Sequence, residues 1–298
     1  MRTTVHLLLL FVLYAGSISA QGSSTGSSQL NLPLSARSAS LGGATVADIG
    51  THSSSFVNPA NLWTEGPTSV LLSHSQWIQD IQSEIVGTQI PFSFGTFGLT
   101  VLNTNVRGIE IRERPGPPLG TFTARFATFQ AGFATKVSDG LLVGGALKYI
   151  YEKLYVDEAT GIGFDFGAAY RTPVEGLTAG ISMTNLGELG EFRNDASQLP
   201  AVGRIGASYI LLYGEVMLTS SVALAKGLHQ TQTHAQLGLE AVYDHMLALR
   251  IGYEAGYETR GLAAGLGIRY SILQFDYAYL PFSLGLGDAH LFSIGFQF

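Results

Sequence analysis

The last ten residues of the chain, AHLFSIGFQF at positions 289–298, decide the fold. Read with a period of two, Phe292, Ile294, Phe296 and Phe298 share one face, and the residues between them occupy the other. The pattern predicts a terminal β-strand with one apolar, aromatic face. Such a strand requires partner strands and an apolar solvent, and a closed barrel in a membrane supplies both.

Composition favours the same interpretation and excludes several function classes. The chain has 298 residues, of which 13% are charged and 46% hydrophobic, with 37 glycines, which fits one β-barrel better than a soluble enzyme. Beyond its N-terminal leader it contains no apolar run long enough for a transmembrane helix. The absence of cysteine excludes disulfides, thiol catalysis and thiolate metal sites, and the net charge of −6 argues against a nucleic-acid partner.

The N-terminal third divides into three segments before the first strand. Residues 1–20 have a basic start, an apolar centre and a small residue before Gln21, which predicts a cleaved signal peptide. Residues 21–29 form a Ser/Gly-rich lead that we expect to be flexible. Residues 30–66 are rich in small residues and turn formers, and we predict that they form a hatch, or plug, inside the barrel.

Residues 67–298 break into about fourteen segments of strand length, and their connections alternate between short and long. The long connections include 106–121, 153–160 and 187–200. An even strand number with alternating connections is typical of an antiparallel up-and-down barrel in the bacterial outer membrane, with both termini periplasmic. The fold class is therefore all-β, and outer-membrane lipid is the expected surrounding.

Alternation within the strands separates a lipid face from a lumen face, and charged residues fall on the lumen face. Both signs are present, so the charges either line a polar path or form a network of mutual pairs, and we favour the network. The predicted lumen charges are Lys148, Glu152, Asp165, Arg171, Arg204, Glu240, Arg250, Glu254, Arg269 and Asp276.

One predicted outer loop combines charge with proline and is a candidate for partner contact. Its charged residues precede Pro115-Gly116-Pro117-Pro118 and are Arg107, Glu110, Arg112, Glu113 and Arg114. A charged loop stiffened by proline can present a docking edge or can simply be solvated, and we favour the solvated interpretation.

Enzymatic chemistry has no support in the sequence. There is no Gly-x-Ser-x-Gly or His-Glu-x-x-His motif, and no carboxylate pair stands apart from the lumen charges. The seven histidines show no metal-ligand spacing on a shared face. We therefore expect a non-enzymatic protein with no cofactor and no metal site.

Two motifs in the predicted hatch support a family resemblance. The segment PLSARSASLGGA at 33–44 and NPANL at 58–62 resemble the N-terminal signature of the PorV/PorQ family, within the wider FadL-like group of fourteen-stranded barrels. Segments 74–81, 144–152 and 163–167 resemble further family motifs in the same order. The residues that carry the hatch motif are Arg37, Leu41, Gly42, Gly43, Asn58, Pro59 and Ala60.

The resemblance implies an accessory component of the type IX protein secretion apparatus, with a translocon subunit or secreted cargo as partner. The compact outer loops depart from the cargo-handling members of the family. The terminal strand, through Phe292, Phe296 and Phe298, also resembles the signal read by the barrel-assembly machinery during biogenesis.

The alternative, also drawn from resemblance, is FadL-like uptake of long-chain fatty acids or other hydrophobic small molecules. Uptake would require an apolar internal pocket, and the inward positions are mainly charged or glycine. On that ground the sequence favours secretion over uptake.

Overall fold

The computed structural model describes residues 25–192, 195–230 and 232–298, so the predicted signal peptide lies outside the described residues. Within these residues a single α-helix, α1, spans Ala36–Ser40, and 3₁₀ turns occupy Ser28–Asn31, His52–Ser54 and Pro59–Leu62. Fifteen strands make up most of the remainder: β1 Ser69–Gln76, β2 Ile81–Phe92, β3 Gly95–Ile111, β4 Gly120–Ser138, β5 Leu141–Leu154, β6 Asp157–Arg171, β7 Leu177–Phe192, β8 Asp195–Gln198, β9 Val202–Tyr213, β10 Val216–Gly227, β11 Thr233–Tyr243, β12 Leu247–Ala255, β13 Leu262–Tyr270, β14 Leu273–Pro281 and β15 Asp288–Gln297.

The strands close into a ring. Apart from β8, each strand pairs antiparallel with the next wall strand along the chain, β7 pairs with β9, and β1 pairs with β15. Strand β8 is a short addition beside the end of β7, so fourteen of the 15 strands form the wall. The prediction of a closed antiparallel barrel of about fourteen strands is confirmed.

The terminal strand occupies the position that its sequence predicts. It lies between β1 and β14, with Phe292 opposite His74 on one side and Tyr277 on the other. Phe292 is 41% exposed and Ser293 is 2% exposed, so the aromatic face points outward and the alternate face points inward. The first and last strands therefore form the seam of the barrel.

The two ends of the barrel differ in their connections. At the end where β1 begins and β15 ends, here named the terminus end, the strands are joined by tight turns. At the opposite loop end the connections are shorter than predicted, and β5 and β6 are joined by only Tyr155 and Val156. The predicted long loop at 153–160 is wrong because both strands continue past the membrane-length segment, and Lys153 pairs there with Glu158 at 2.6 Å.

The wall has an apolar outside and a polar inside. Along β12, Leu249 is 69% exposed whereas its neighbour Arg250 is 7% exposed, and the other strands repeat this alternation. Charges on the lipid face would cost roughly 2–4 kcal/mol each at mid-membrane, which explains the sorting. Among the described residues, no helix is long and apolar enough to cross a membrane.

The strand irregularities fall beside the positions that the sequence suggested. The changing phase of the phenylalanines in 122–136 predicts a bulge there, but the register shift between β3 and β4 lies between Val106 and Ile109 on β3. Gly108 adopts a φ of +70° at that point, which a residue with a Cβ rarely adopts. A second shift, between Lys136 and Ser138, marks the start of the turn into β5.

The segment from residue 30 to 66 lies inside the ring and is named the hatch below. Helix α1 contacts β12 to β15, and the turn at Pro59–Leu62 contacts β3 to β6 on the opposite wall. Residues 21–24 of the polar lead lie outside the described residues, but in residues 25–29 Ser27 and Gln29 are buried, and Gly26 N donates a hydrogen bond to Gln198 O. The expectation of flexibility fails for these residues because the lumen supplies partners for their polar groups.

Candidate functional site

The hatch begins with a helix made almost entirely of small residues. Ser35 caps α1 through a hydrogen bond from Ser38 N to Ser35 Oγ of 3.3 Å. Ala36 and Ala39 are fully buried against the wall formed by β13 to β15. An added Cβ on Gly265 would lie 2.4 Å from Ser40 Cβ, so the helix and the wall are in direct contact.

The Leu41-Gly42-Gly43 motif brings hatch backbone against wall backbone. Gly42 and Gly43 have φ angles of +60° and +75°, which glycine adopts without strain. A Cβ on Gly42 would lie 2.9 Å from Tyr253 N, and one on Gly252 of the wall would lie 2.2 Å from Gly42 N. Two backbones can approach this closely only where both residues lack side chains.

The Asn58-Pro59-Ala60 motif makes the corresponding contact on the opposite wall. Asn58 Nδ2 donates to Val46 O at 2.7 Å and to Ala168 O at 3.0 Å, while Asn58 Oδ1 accepts from Ala60 N at 3.0 Å. A Cβ on Gly144 of β5 would lie 2.5 Å from Pro59 O. Every member of the predicted hatch motif thus contacts the wall or orders the hatch backbone that does.

Arg37 connects the hatch to the wall through charge. Its guanidinium donates to both oxygens of Glu240, at 3.1 and 2.9 Å, and also pairs with Asp48 of the hatch. Glu240 in turn pairs with Arg250, whose Nη1 lies 2.7 Å from Asp276 Oδ1. Burial opposes the charge on Arg37, but Asp48 and Glu240 outweigh it and raise the pKa of Arg37 well above its ordinary value.

A second charged group lies on the wall of β5 to β7. Lys148 Nζ lies 2.7 Å from Asp165 Oδ2 and donates to Asn185 Oδ1 at 2.6 Å. Asn185, at a φ of +60°, sits where the pairing of β6 with β7 shifts register, and its backbone N–H donates to Asp165 Oδ1. Nearby, Glu152 accepts hydrogen bonds from Ser27 and from Gln29.

Two predicted lumen charges, Arg171 and Arg269, do not lie inside the lumen. Arg171 and Arg269 are exposed at strand ends near the turns of the terminus end. The Arg171 guanidinium lies 5.0 Å from the ring centre of Trp63, and Arg269 Nη2 donates to Gln274 Oε1 at 2.7 Å. Strand alternation predicts a face but not depth, and at the rim an inward-pointing side chain reaches water.

A cavity of about 590 Å³ lies between the hatch and the wall on the loop-end side. Hatch residues Leu34, Gly43 and Phe56 form part of its lining, and Arg204 of β9 and Glu254 of β12 face it from the wall. Gln236 Nε2 donates to Glu254 Oε1 at 2.8 Å, and Arg260 Nη2 lies 3.2 Å from Glu254 Oε2. Arg204 and Glu254, the two predicted lumen charges not yet described, therefore both lie at this cavity.

Loop-end residues close over this cavity through stacked side chains. The Arg260 guanidinium lies 4.0 Å from the ring centre of Tyr257 and 5.6 Å from that of Trp77. His234 stacks on Tyr257 with ring centres 3.9 Å apart, and Trp77 packs edge-on against Phe282. Burial raises the pKa of the Tyr257 hydroxyl.

A smaller cavity of about 270 Å³ lies on the terminus-end side of the hatch. It is lined by Arg37, Asp48 and His52 of the hatch and by apolar wall residues that include Ile210 and Met217. The hatch therefore separates two cavities. Burial lowers the pKa of His52, which lines the smaller one, to about 4.

The predicted partner loop is only partly a loop. Arg107 and Glu110 belong to β3, which continues to Ile111, and the turn itself spans residues 112–119 with Arg112, Glu113 and Arg114 exposed. Arg112 Nη2 lies 2.6 Å from Glu110 Oε2. The boundary is wrong because strands β3 and β4 pair beyond the level at which a membrane strand needs to end.

Several residues of the site were not predicted. Asp48, Asn185, Gln236, Tyr257 and Arg260 all make contacts described above, yet none belongs to a recognisable motif. The only available signal was the proximity of Asp48 to Arg37 in a segment otherwise poor in charge. Among the described residues, no group of three or more histidines or carboxylates could hold a metal ion.

Comparison with solved structures identifies the architecture. Neither a family model nor a curated protein matches the sequence. The Pseudomonas putida toluene transporter TodX is 12% identical, with a TM-score of 0.62 over 87% of this chain and 95% of that one. The fold is that of the FadL-type outer-membrane barrels.

Two further structures support that statement. The monoaromatic hydrocarbon channel CymD is 12% identical, with a TM-score of 0.63 over 89% of this chain and 97% of that one. A Pseudomonas aeruginosa FadL homologue is 12% identical, with a TM-score of 0.59 over 93% of this chain and 100% of that one. At this identity, the similarity of the FadL-type barrels to this chain concerns the fold alone.

Proposed function

We propose that this FadL-type barrel is an outer-membrane channel that admits a small organic molecule to the loop-end cavity and releases it when the hatch moves. The observation that carries the proposal is the cavity of about 590 Å³, which is lined on one side by the wall and on the other by the hatch. A ligand in this cavity contacts the gate directly, so binding can be coupled to opening.

The sequence-based objection to uptake does not hold against this geometry. The inward charges largely neutralise one another, because Lys148 pairs with Asp165, Glu254 with Arg260, and Glu240 with Arg250. The cavity lining also contains apolar side chains from the hatch, such as Leu32 and Phe56, and from the wall, such as Leu102 and Leu280. A cavity of mixed polarity suits an amphipathic solute.

The two ends of the barrel support one orientation of the proposed channel. The terminus end has tight turns, which face the periplasm in outer-membrane barrels, so the loop end and the larger cavity face the exterior. The hatch then stands between the external cavity and the periplasm. A solute that enters from outside meets the cavity before the hatch.

The gate can be tested with a reversible lock, because the chain has no cysteine of its own. An ideal Cβ on Gly238 would lie 3.1 Å from Leu41 Cβ and 2.9 Å from Leu41 O, so a disulfide between Leu41→Cys and Gly238→Cys needs the two backbones to separate by roughly 0.5–1 Å to reach the usual Cβ–Cβ distance. The assay is initial uptake of radiolabelled toluene, benzoate and octanoate by a bacterial host that lacks its own channels of this type.

We expect the wild-type chain to raise uptake of at least one probe several-fold over an empty vector. The oxidised lock should return uptake to the vector level, and reduction should restore it, with each single-cysteine variant as a control. Uptake that stays at the vector level for every probe would contradict the channel. Equal uptake by the locked and reduced forms would contradict gating by the hatch.

An accessory role in type IX protein secretion is the second candidate. It rests on the PorV/PorQ-like motifs, and these are the segments through which the hatch contacts both walls. Deletion of the gene should then impair surface display of proteins that carry type IX sorting domains. Unchanged display together with lost solute uptake would leave the channel as the function.

A further inference from the structure

The loop-end cavity contains one cationic side chain without a carboxylate partner. Arg204 lines the cavity, and its Nη1 donates to Thr184 Oγ1 at 2.8 Å. Among the described residues, no carboxylate lies within ion-pair distance of Arg204, and Asp165 and Glu254 act on it only over a longer range. The other two basic residues of the lining that carry a fixed charge, Lys148 and Arg260, are each paired with a carboxylate.

Counted with Asp165, which pairs with Lys148 but does not line the cavity, the fixed charges of the described lining sum to plus one. Lys148 with Asp165 and Arg260 with Glu254 each sum to zero, and Arg204 remains. Arg204 is half-buried, and a guanidinium largely withdrawn from water has five N–H donors and is costly to leave without a counter-charge. One hydrogen bond to a hydroxyl leaves most of those donors available to a ligand.

The remainder of the lining has neutral hydrogen-bonding groups. Four glutamines reach the cavity, Gln130, Gln230, Gln232 and Gln236, together with the hydroxyls of Thr100 and Thr128. An amide side chain both donates and accepts, so these groups can bind polar substituents without fixing a charge. Trp77 and Tyr257 provide aromatic surface at the loop end of the same cavity.

We propose that Arg204 is an anion-binding residue and that the cavity selects small organic acids over neutral molecules of the same size. A carboxylate would bind the guanidinium in a charge-assisted pair, and the glutamines would bind hydroxyl or amide substituents on the ligand body. The inference rests on the proposed channel function and adds the chemical class of its ligand.

Benzoate and benzamide form a suitable probe pair, since they share a ring and a planar head group and differ in charge. Trp77 is a built-in reporter because the chain has only two tryptophans, and the other, Trp63, can be replaced by phenylalanine. The experiment is a fluorescence titration of the full-length Trp63→Phe protein in nanodiscs at neutral pH with each probe.

We expect benzoate to bind about tenfold more tightly than benzamide. Arg204→Met should abolish that preference and leave benzamide affinity unchanged, whereas Arg204→Lys should retain part of it. The matched control is Arg171→Met, which removes an exposed arginine outside the cavity and should leave the preference intact.

Equal affinity of the wild-type protein for both probes would overturn the inference, and so would a preference that survives in Arg204→Met. Absence of binding by either probe in the titration would also overturn it. Should Arg204→Met fail to fold, Arg204→Gln retains hydrogen bonding without charge and gives the same comparison. The disulfide-lock experiment tells failure of the anion preference apart from failure of the channel. It measures whether any probe is taken up, and it does not depend on a preference for charged probes.

Discussion

The two halves of the hatch hold opposite walls by different means. The half containing α1 contacts β11 to β15 through backbone proximity at Gly42 and through the ion pairs of Arg37. The half containing Asn58 contacts β4 to β6 through neutral hydrogen bonds and the apolar packing of Leu62 and Trp63. The first half depends on charge and the second on shape, so they should respond differently to mutation and to pH.

The largest effect is expected from Arg37→Met, which breaks the charged half. Glu240 would keep Arg250 but lose its hatch partner, and Asp48 would lose its ion pair, so we expect about 3 kcal/mol of lost seating free energy, the low end for buried pairs. Hydrogen exchange of the amides in residues 35–43 measures this loss. Arg269→Met, an exposed arginine at the same end, is the control, and protection lost equally in both variants would contradict the role of the ion pairs.

Gly144→Val tests the neutral half and should cost about 2 kcal/mol through overpacking, because its Cβ would meet Pro59 O at 2.5 Å. The exchange of residues 58–62 should rise while residues 35–43 keep most of their protection. Gly145→Val is the matched control, since the nearest atom to its Cβ lies at 3.6 Å. If both halves lose protection together, the hatch moves as one unit and the comparison fails.

Acidification should loosen the hatch through His52, which lies between the two halves. Burial lowers the pKa of His52 to about 4, below its ordinary value of 6.5, so the seated state favours the neutral ring. Its contribution is complete above pH 6.5 and is lost progressively as the pH falls toward 4, and the loss amounts to about 2 kcal/mol at pH 5. Exchange of residues 50–56, corrected for intrinsic rates, measures the decline, and His52→Gln should remove it; a decline of equal size in His52→Gln would assign it to other groups.

The smallest effect is expected far from both halves. Replacing Arg112, Glu113 and Arg114 with serine changes only an exposed turn, so hatch protection and thermal stability should change by less than about 0.5 kcal/mol. Co-purification from mild detergent tests the alternative, that this turn is a docking edge for a partner protein. A protein partner lost only in this variant would show that the turn docks another molecule.

Sequence reasoning predicted the wall better than its contents. Period-two alternation is enough to assign Leu249 outward and Arg250 inward, because membrane and lumen impose opposite selection on adjacent residues. It cannot give the partner of Arg250, since register across strands and the path of the hatch decide that Glu240 and Asp276 lie beside it. Alternation also does not give the position of a residue along the barrel axis. Arg171 was predicted to lie in the lumen, but it lies exposed at the rim.

The candidate site was harder to predict because loops and hatch assemble it. Tyr257 and Arg260 belong to a short connection with no motif, and only the closed barrel brings them to Trp77 and His234. The hatch motifs were visible in the sequence, and Gly144 lay in a further family-like segment, but nothing in the sequence paired Gly144 with Pro59 or Gly252 with Gly42. A contact between two glycine backbones leaves no signal in either segment alone.

The seam between β1 and β15 sets an order for synthesis and folding. The Asn58 half of the hatch contacts β4 to β6, which emerge soon after it, whereas α1 contacts β12 to β15, the last strands to be made. The half nearer the N-terminus must therefore wait for nearly the whole chain before its binding surface exists. Because that surface includes the closing strand itself, the full contact surface of α1 exists only once β15 has joined β1 and β14.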